Sequence, residues 1–312
     1  MDENTVMNPK EPLNAAPVFT AAAPKKHSPV FKIWRVLYPL LIFVGIQFAV
    51  GIVVALYYVV TRILPVINQA ADSLVMSQQL TDWVISQTLP LALACDLLVL
   101  PIFVFMYFRQ MKGQKRPAIS AFKITDYVLV AALAVFADFA ISYIISGFNL
   151  EQYFPDYQVL MQGFTGAPVI LQVITVGIVA PVAEEFLMRG VVLNRLLGYV
   201  RVLPALLIQA ALFGILHMNL LQGVYAGVLG LLLGYVYIKY GSLLMTIVFH
   251  ITLNTLSVLL SESFSADVNP LLIIIPAVLL TAGTFWLMIR RGDSVMFITD
   301  KNANRIEGTG RN

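Results

Sequence analysis

Residues 37–60 read LYPLLIFVGIQFAVGIVVALYYVV, without a formal charge among them. A helix needs roughly 20 apolar residues, each rising about 1.5 Å, to cross a hydrocarbon core about 30 Å thick. This stretch meets that requirement, and it starts too late and runs too long for a cleaved signal peptide. It reads as a first spanning helix that stays. Runs near that length follow at Leu89–Phe108, Tyr127–Phe148, Ala167–Ala183, Leu203–Leu216, Val224–Ile238, Leu243–Leu260 and Leu271–Ile289. The fifth and sixth are short. The expected fold class is all-α: a polytopic membrane protein, a helical bundle of about eight transmembrane helices.

Composition agrees. Of 312 residues 59% are apolar and 12% charged, against about 45–50% and about 25% in a soluble domain, and the mean hydropathy is +0.83. This excludes a soluble enzyme, a disordered protein and a nucleic-acid-binding module. The net charge of +3 comes from bases that cluster beside the apolar runs, as topology signals do. Lys25, Lys26, Lys32 and Arg35 precede the first helix, and Arg109, Lys112, Lys115, Arg116 and Lys123 lie between the second and third. Arg189, Arg195 and Arg201 follow the fourth, Lys239 the sixth, and Arg290 and Arg291 the eighth. The alternate loops hold Asp72 and Asp82 against Arg62, then Glu151 and Asp156, then Glu262 and Asp267. Eight spans in the cell membrane with both termini cytoplasmic satisfy every loop.

Residues 1–30 and 292–312 read as cytoplasmic tails, the first of them disordered. Residues 31–160 hold the first three helices, and residues 161–291 hold the rest. The single cysteine, Cys95, lies inside an apolar run, so neither an internal disulfide nor a thiolate metal site can form. Helix six carries Gly223, Gly227, Gly230 and Gly234, a small-residue face suited to a close helix–helix seam.

Ionisable side chains inside a bilayer are costly and mark function by default. Asp96 and Asp138 stand alone in helices two and three, where interhelical hydrogen bonding is the expected role. The second half concentrates Glu184, Glu185 and Arg189 around the end of helix four, His217 in helix five, and His250 with Asn254 in helix seven. Glu185 and Arg189 are four apart with the carboxylate N-terminal, the favourable order for an ion pair on one helix face. Glu184 points elsewhere and is left free to face the bundle. Phe213 and His217 share a face of helix five, as His250 and Asn254 share one of helix seven.

Such a set suits hydrolysis. A carboxylate in an apolar pocket can take a proton from water, and an imidazole can share that water or protonate the leaving amine. Histidine and asparagine N–H groups can stabilise an oxyanion. Equally, Glu184, His217 and His250 could hold one zinc ion, since two imidazoles and a carboxylate with an open position make a catalytic site. The expected cofactor is therefore none or one divalent metal such as zinc. Asn254 inclines the choice to the metal-free arrangement, being a poor zinc ligand and a good amide donor.

In these residues the chain resembles the CAAX protease and bacteriocin-processing (CPBP or Abi) family of intramembrane endopeptidases. The two glutamates and arginine of its first motif stand as Glu184-Glu185-Phe-Leu-Met-Arg189, its Phe-x-x-x-His as Phe213-Gly-Ile-Leu-His217, and its His-x-x-x-Asn as His250-Ile-Thr-Leu-Asn254. All three occur in order on separate apolar segments, over roughly residues 167–260. The resemblance implies that residues 161–291 form a protease core in which Glu184 activates water, His217 assists, and His250 with Asn254 forms the oxyanion site. Glu185, Arg189 and Phe213 support them. The implied partners are membrane lipid and a membrane-associated or lipidated peptide or protein substrate. Prenylated tails, bacteriocin leaders and peptide pheromones all fit the motifs.

Two other classes compete: a non-catalytic immunity or sensor-regulating protein, which would need none of the motifs, and a proton-coupled transporter relaying through Asp96, Asp138 and Glu184, which would favour inverted repeats that the sequence lacks. One conflict concerns depth. If helices four and five begin where their apolar runs begin, Glu184 lies about 5 Å and His217 about 20 Å from the cytoplasmic edge. They meet only if helix four extends past Arg189 or helix five starts below the membrane plane.

Overall fold

The computed structural model describes residues 28–64, 73–112, 122–260 and 269–291. Residues 1–27, the tail 292–312 and the loop charges at Asp72, Lys115, Arg116, Glu262 and Asp267 lie outside the described residues. The described chain forms nine helices, α1 (Pro29–Tyr58), α2 (Ser73–Gln110), α3 (Ile124–Gly147), α4 (Pro155–Thr165), α5 (Val169–Leu197), α6 (Val202–Leu216), α7 (Leu220–Tyr240), α8 (Leu243–Leu260) and α9 (Leu271–Arg290). Seven of them, all but α4 and α6, are long and apolar enough to cross a membrane. The molecule is a multi-pass membrane protein built as an all-α bundle.

Several helices exceed their apolar runs. α1 starts at Pro29, within the expected tail, because the Ser28 hydroxyl accepts the Phe31 N–H at 3.3 Å and Pro29 supplies a preset first turn. α2 begins at Ser73, well before Leu89, through a polar stretch that hydropathy alone passes over. α5 is 29 residues long and continues to Leu197, since the charges that interrupt its apolar run are paired inside the bundle. α6, by contrast, has 15 residues, about 22 Å at 1.5 Å each, short of the full thickness expected for a fifth span.

These lengths remove the depth conflict. From Leu197 back to Glu184, and from Val202 forward to His217, the helices advance about 20 Å and about 22 Å respectively. The two residues therefore stand at similar heights. α6 turns back at His217–Asn219, with Met218 at φ 51° and Asn219 capping α7 by accepting the Gln222 N–H at 3.0 Å. The amide of Asn219 also donates to Asp156 Oδ2 on α4 at 2.5 Å, which ties this turn to the short helix.

α6 and α7 pack as an antiparallel pair along the glycine face. A Cβ on Gly214 would lie 2.4 Å from the Gly223 carbonyl oxygen, and one on Gly234 would lie 2.5 Å from Leu206 Cδ1. On the other side, α3 packs against α8 and α9 through Leu133, Phe249 and Met288. Near the α5–α6 connection, Arg195 joins three helices, bonding Tyr38 Oη at 2.8 Å, Gln110 Oε1 at 2.9 Å and the Arg35 carbonyl.

The seam predicts a sharp contrast between two glycines. Gly214→Ala meets backbone that has nowhere to move and should destabilise by about 1–3 kcal/mol, seen as a lowered melting temperature in detergent. Gly45→Ala, where the added carbon has nothing within 4 Å, should leave that temperature unchanged or slightly raised.

Candidate active site

The site rests on a deformed stretch of α5. Residues Val173–Val179 and Phe186–Leu193 adopt the wider π-helical winding around an α-helical turn at Ala180–Glu185. Ala180 N–H reaches back to the Thr175 carbonyl, so the next donor in that pattern would come from Pro181, which has none. The carbonyl left short is that of Val176, and α8 supplies donors to it and to its neighbour Gly177. Asn254 Nδ2 donates to Val176 O at 2.9 Å, and Thr255 Oγ1 to Gly177 O at 3.3 Å. Asn254 stands one turn from His250 on α8, as expected, and its amide docks α8 onto α5.

One turn further along α5, Arg189 Nη1 donates to Glu185 Oε1 at 2.7 Å, and both side chains are wholly buried. Arg189 Nη2 donates to the Gly230 carbonyl on α7 at 3.3 Å, and its guanidinium lies 4.7 Å from the Phe213 ring centroid. The same Glu185 oxygen accepts from His250 Nδ1 at 2.9 Å. That bond commits the δ nitrogen and turns Nε2 towards Glu184, whose Oε2 is 3.7 Å away. Phe213 stands edge-on to both histidines, 4.9 Å from the His217 ring and 6.0 Å from the His250 ring.

His217 donates from Nδ1 to the Phe213 carbonyl at 2.8 Å, since a carbonyl can only accept. This leaves Nε2 as the working nitrogen. Glu184 and His217 both line a cavity of about 180 Å³, together with Phe213, Leu160 and Phe164 of α4 and Phe43 of α1. Glu184 keeps 21% of its side chain exposed, whereas Glu185 keeps none. Adjacent glutamates thus occupy opposite environments, one locked in a charge cluster and the other open to a space large enough for water and part of a substrate.

Asp96 and Asp138 are both buried. Asp96, 5% exposed on α2, is close enough to Glu184 for their charges to interact. Asp138 faces Ser142 on its own helix and Ser257 on α8. The sequence reading left out Tyr225, which packs against all three apolar clusters of the bundle and lies within charge range of both Glu184 and Asp138. It also left out α4, which walls the cavity. The signal was present in Tyr157, Leu160, Met161 and Phe164, spaced as one face of an amphipathic helix behind a Pro155 start. Among the described residues, no three His, Cys, Asp or Glu side chains are grouped so as to hold a metal ion, and the nitrogens of His250 are both directed at glutamates.

Residues 166–256 match the family model described as type II CAAX prenyl endopeptidase Rce1-like. The match runs from just before α5 into α8, covers all three motifs, and leaves α1–α4 and α9 outside it. No curated protein and no solved structure matches the chain.

Removing one partner from a buried ion pair strands the other, at a cost of about 3–5 kcal/mol. Glu185→Arg and Arg189→Glu should each therefore express poorly and melt early. The double exchange should recover most of that loss in melting temperature, while its activity stays low because His250 loses its acceptor. A double variant no more stable than the singles contradicts the pairing.

Proposed function

We propose that this chain is an intramembrane endopeptidase that hydrolyses a peptide bond in a membrane-associated or lipidated peptide or protein, using a water activated by Glu184. The observation that carries the reading is the division of labour between adjacent carboxylates: Glu185 is tied to Arg189, and Glu184 opens with His217 onto one cavity. The family described as CAAX prenyl endopeptidases supplies the substrate class, a protein held at the membrane by a lipid group.

Glu184 accepts a proton from the cavity water as its oxygen attacks the scissile carbonyl carbon. The carbonyl oxygen becomes an oxyanion, and collapse of the tetrahedral species expels the amine, which takes the proton back from Glu184 or by way of His217 Nε2. His217 is held to one orientation by its bond to the Phe213 carbonyl, so its free nitrogen is aimed before substrate arrives. His250 Nε2 faces the reacting centre because Nδ1 is committed to Glu185. Asn254 contributes by fixing the α5–α8 contact, which sets the distance between Glu184 and His250. This reading needs no metal, and the bond that commits His250 Nδ1 to Glu185 supports it by leaving Nε2 to face the reacting centre.

The orientation proposed is that of the cell membrane with both termini in the cytoplasm. Arg195 gathers the start of α1, the end of α2 and the end of α5, and Phe122 beside Tyr240 joins the start of α3 to the end of α7. Lys32, Arg35, Arg109, Lys123, Arg195, Arg201 and Lys239 belong to these ends, which the positive-inside rule places in the cytoplasm.

Purified protein with a quenched peptide library tests the function. Cleavage should fall by a factor of at least about 100 in Glu184→Ala, the usual scale for a general base, and should survive exhaustive chelation. Turnover that is abolished by chelation and restored by stoichiometric zinc would replace the metal-free mechanism. Undiminished cleavage by Glu184→Ala would remove Glu184 from it.

A further inference from the structure

Two carboxamides line the cavity and no step above uses them. Gln47 comes from the middle of α1 and Gln222 from the first turn of α7, and both share the cavity wall with Glu184 and His217. Gln47 is the one carboxamide in the apolar run 37–60. Among the described residues neither side chain has a hydrogen-bond partner; the bond at Gln222 is made by its backbone N–H to Asn219 Oδ1. Both are half-buried, and two carboxamides of a spanning bundle that line one cavity suggest a partner that arrives there.

A carboxamide carries an N–H donor and a C=O acceptor in one plane, the same pair that a peptide group presents. Glutamines from two different helices, α1 and α7, can therefore bond an extended main chain whatever its side chains. The rest of the wall is apolar: Phe43, Leu160, Phe164, Leu187 and Met218. A cavity of about 180 Å³ is only slightly larger than one of about 150 Å³ that admits a benzene ring. It accommodates a group of about that size.

We infer that Gln47 and Gln222 hold the main chain of an extended peptide substrate on either side of the bond that Glu184 addresses. The inference rests on the peptidase reading and extends it. It makes α1, which lies outside the matched segment 166–256, part of the substrate site. Gln47 and Gln222 act as binding residues, and their removal weakens affinity whatever the peptide sequence.

Equilibrium binding tests this without turnover. The full chain carrying Glu184→Gln is placed in lipid nanodiscs, and fluorescence anisotropy reads the Kd of a fluorescein-labelled ten-residue peptide, the tightest-binding member of a mixed-sequence library. Gln47→Met and Gln222→Met are near-isosteric and replace polar by apolar groups, so both should fold. Each is expected to raise Kd by roughly 2- to 10-fold, the worth of one hydrogen bond. Peptides with a single backbone N–H replaced by an ester oxygen should show a similar loss on the parent protein, and no further loss on the variant lacking the matching glutamine. Unchanged Kd in both Met variants, or ester penalties that persist in both, overturns the inference. Cleavage by the wild-type chain that disappears in Glu184→Gln while these Kd values stay level removes the glutamine role alone. Kd shifts as expected, in a protein that never cleaves, keep that role and remove the peptidase.

Discussion

A guanidinium and a carboxylate wholly buried in one turn of a spanning helix fix most of what surrounds them. Arg189 and Glu185 neutralise each other, but an ion pair in a low-dielectric interior also depends on how many of its remaining donors and acceptors are met. Here part of the surplus is shared out, while Arg189 Nε and Glu185 Oε2 have no hydrogen bond among the described residues. The second guanidinium nitrogen holds the Gly230 carbonyl, the cation lies over Phe213, and the carboxylate takes the His250 N–H. One pair thereby ties α5 to α6, α7 and α8, the helices that carry the motifs.

That demand explains why the glycine seam and the site belong together. Arg189 and Gln209 both reach the Gly230 carbonyl, the latter at 2.7 Å, which requires α6 and α7 to be nearly in contact there. A Cβ at Gly230 would come within 3.1 Å of the Ala210 Cα. The same close approach puts Phe213 between the two histidines and lets the short α6 end where His217 meets the cavity. Packing in a bilayer draws little on hydrophobic burial between helices, so polar ties and small residues carry the burden that a soluble core gives to large side chains.

Much of this was legible in the chain. Apolar runs gave the bundle and the number of spans to within one, and the spacing of four between Glu185 and Arg189 gave their pairing. The length of α5 was hidden, because hydropathy ends a helix at the first cluster of charges and cannot see that those charges are neutralised by one another. The docking bond of Asn254 was hidden for a related reason. Its partner is a carbonyl orphaned by Pro181, a consequence of backbone winding that residue types on α8 do not announce. α4 was overlooked through length, being too short for a span although its apolar spacing was regular. Gln47 was invisible among motifs, since only the fold brings α1 to the cavity that Glu184 lines.

The account assigns two neighbouring glutamates to different tasks, stability for Glu185 and chemistry for Glu184. The most direct measurement compares the melting temperatures of Glu185→Gln and Glu184→Gln in the same detergent, both being isosteric and both removing one charge. Glu185→Gln should melt many degrees lower, because Arg189 is left buried beside a neutral amide. Glu184→Gln should melt at or above the parent temperature, because its carboxylate faces a cavity and contributes little to the fold. Equal losses, or a larger loss in Glu184→Gln, would contradict the division on which the proposed site depends.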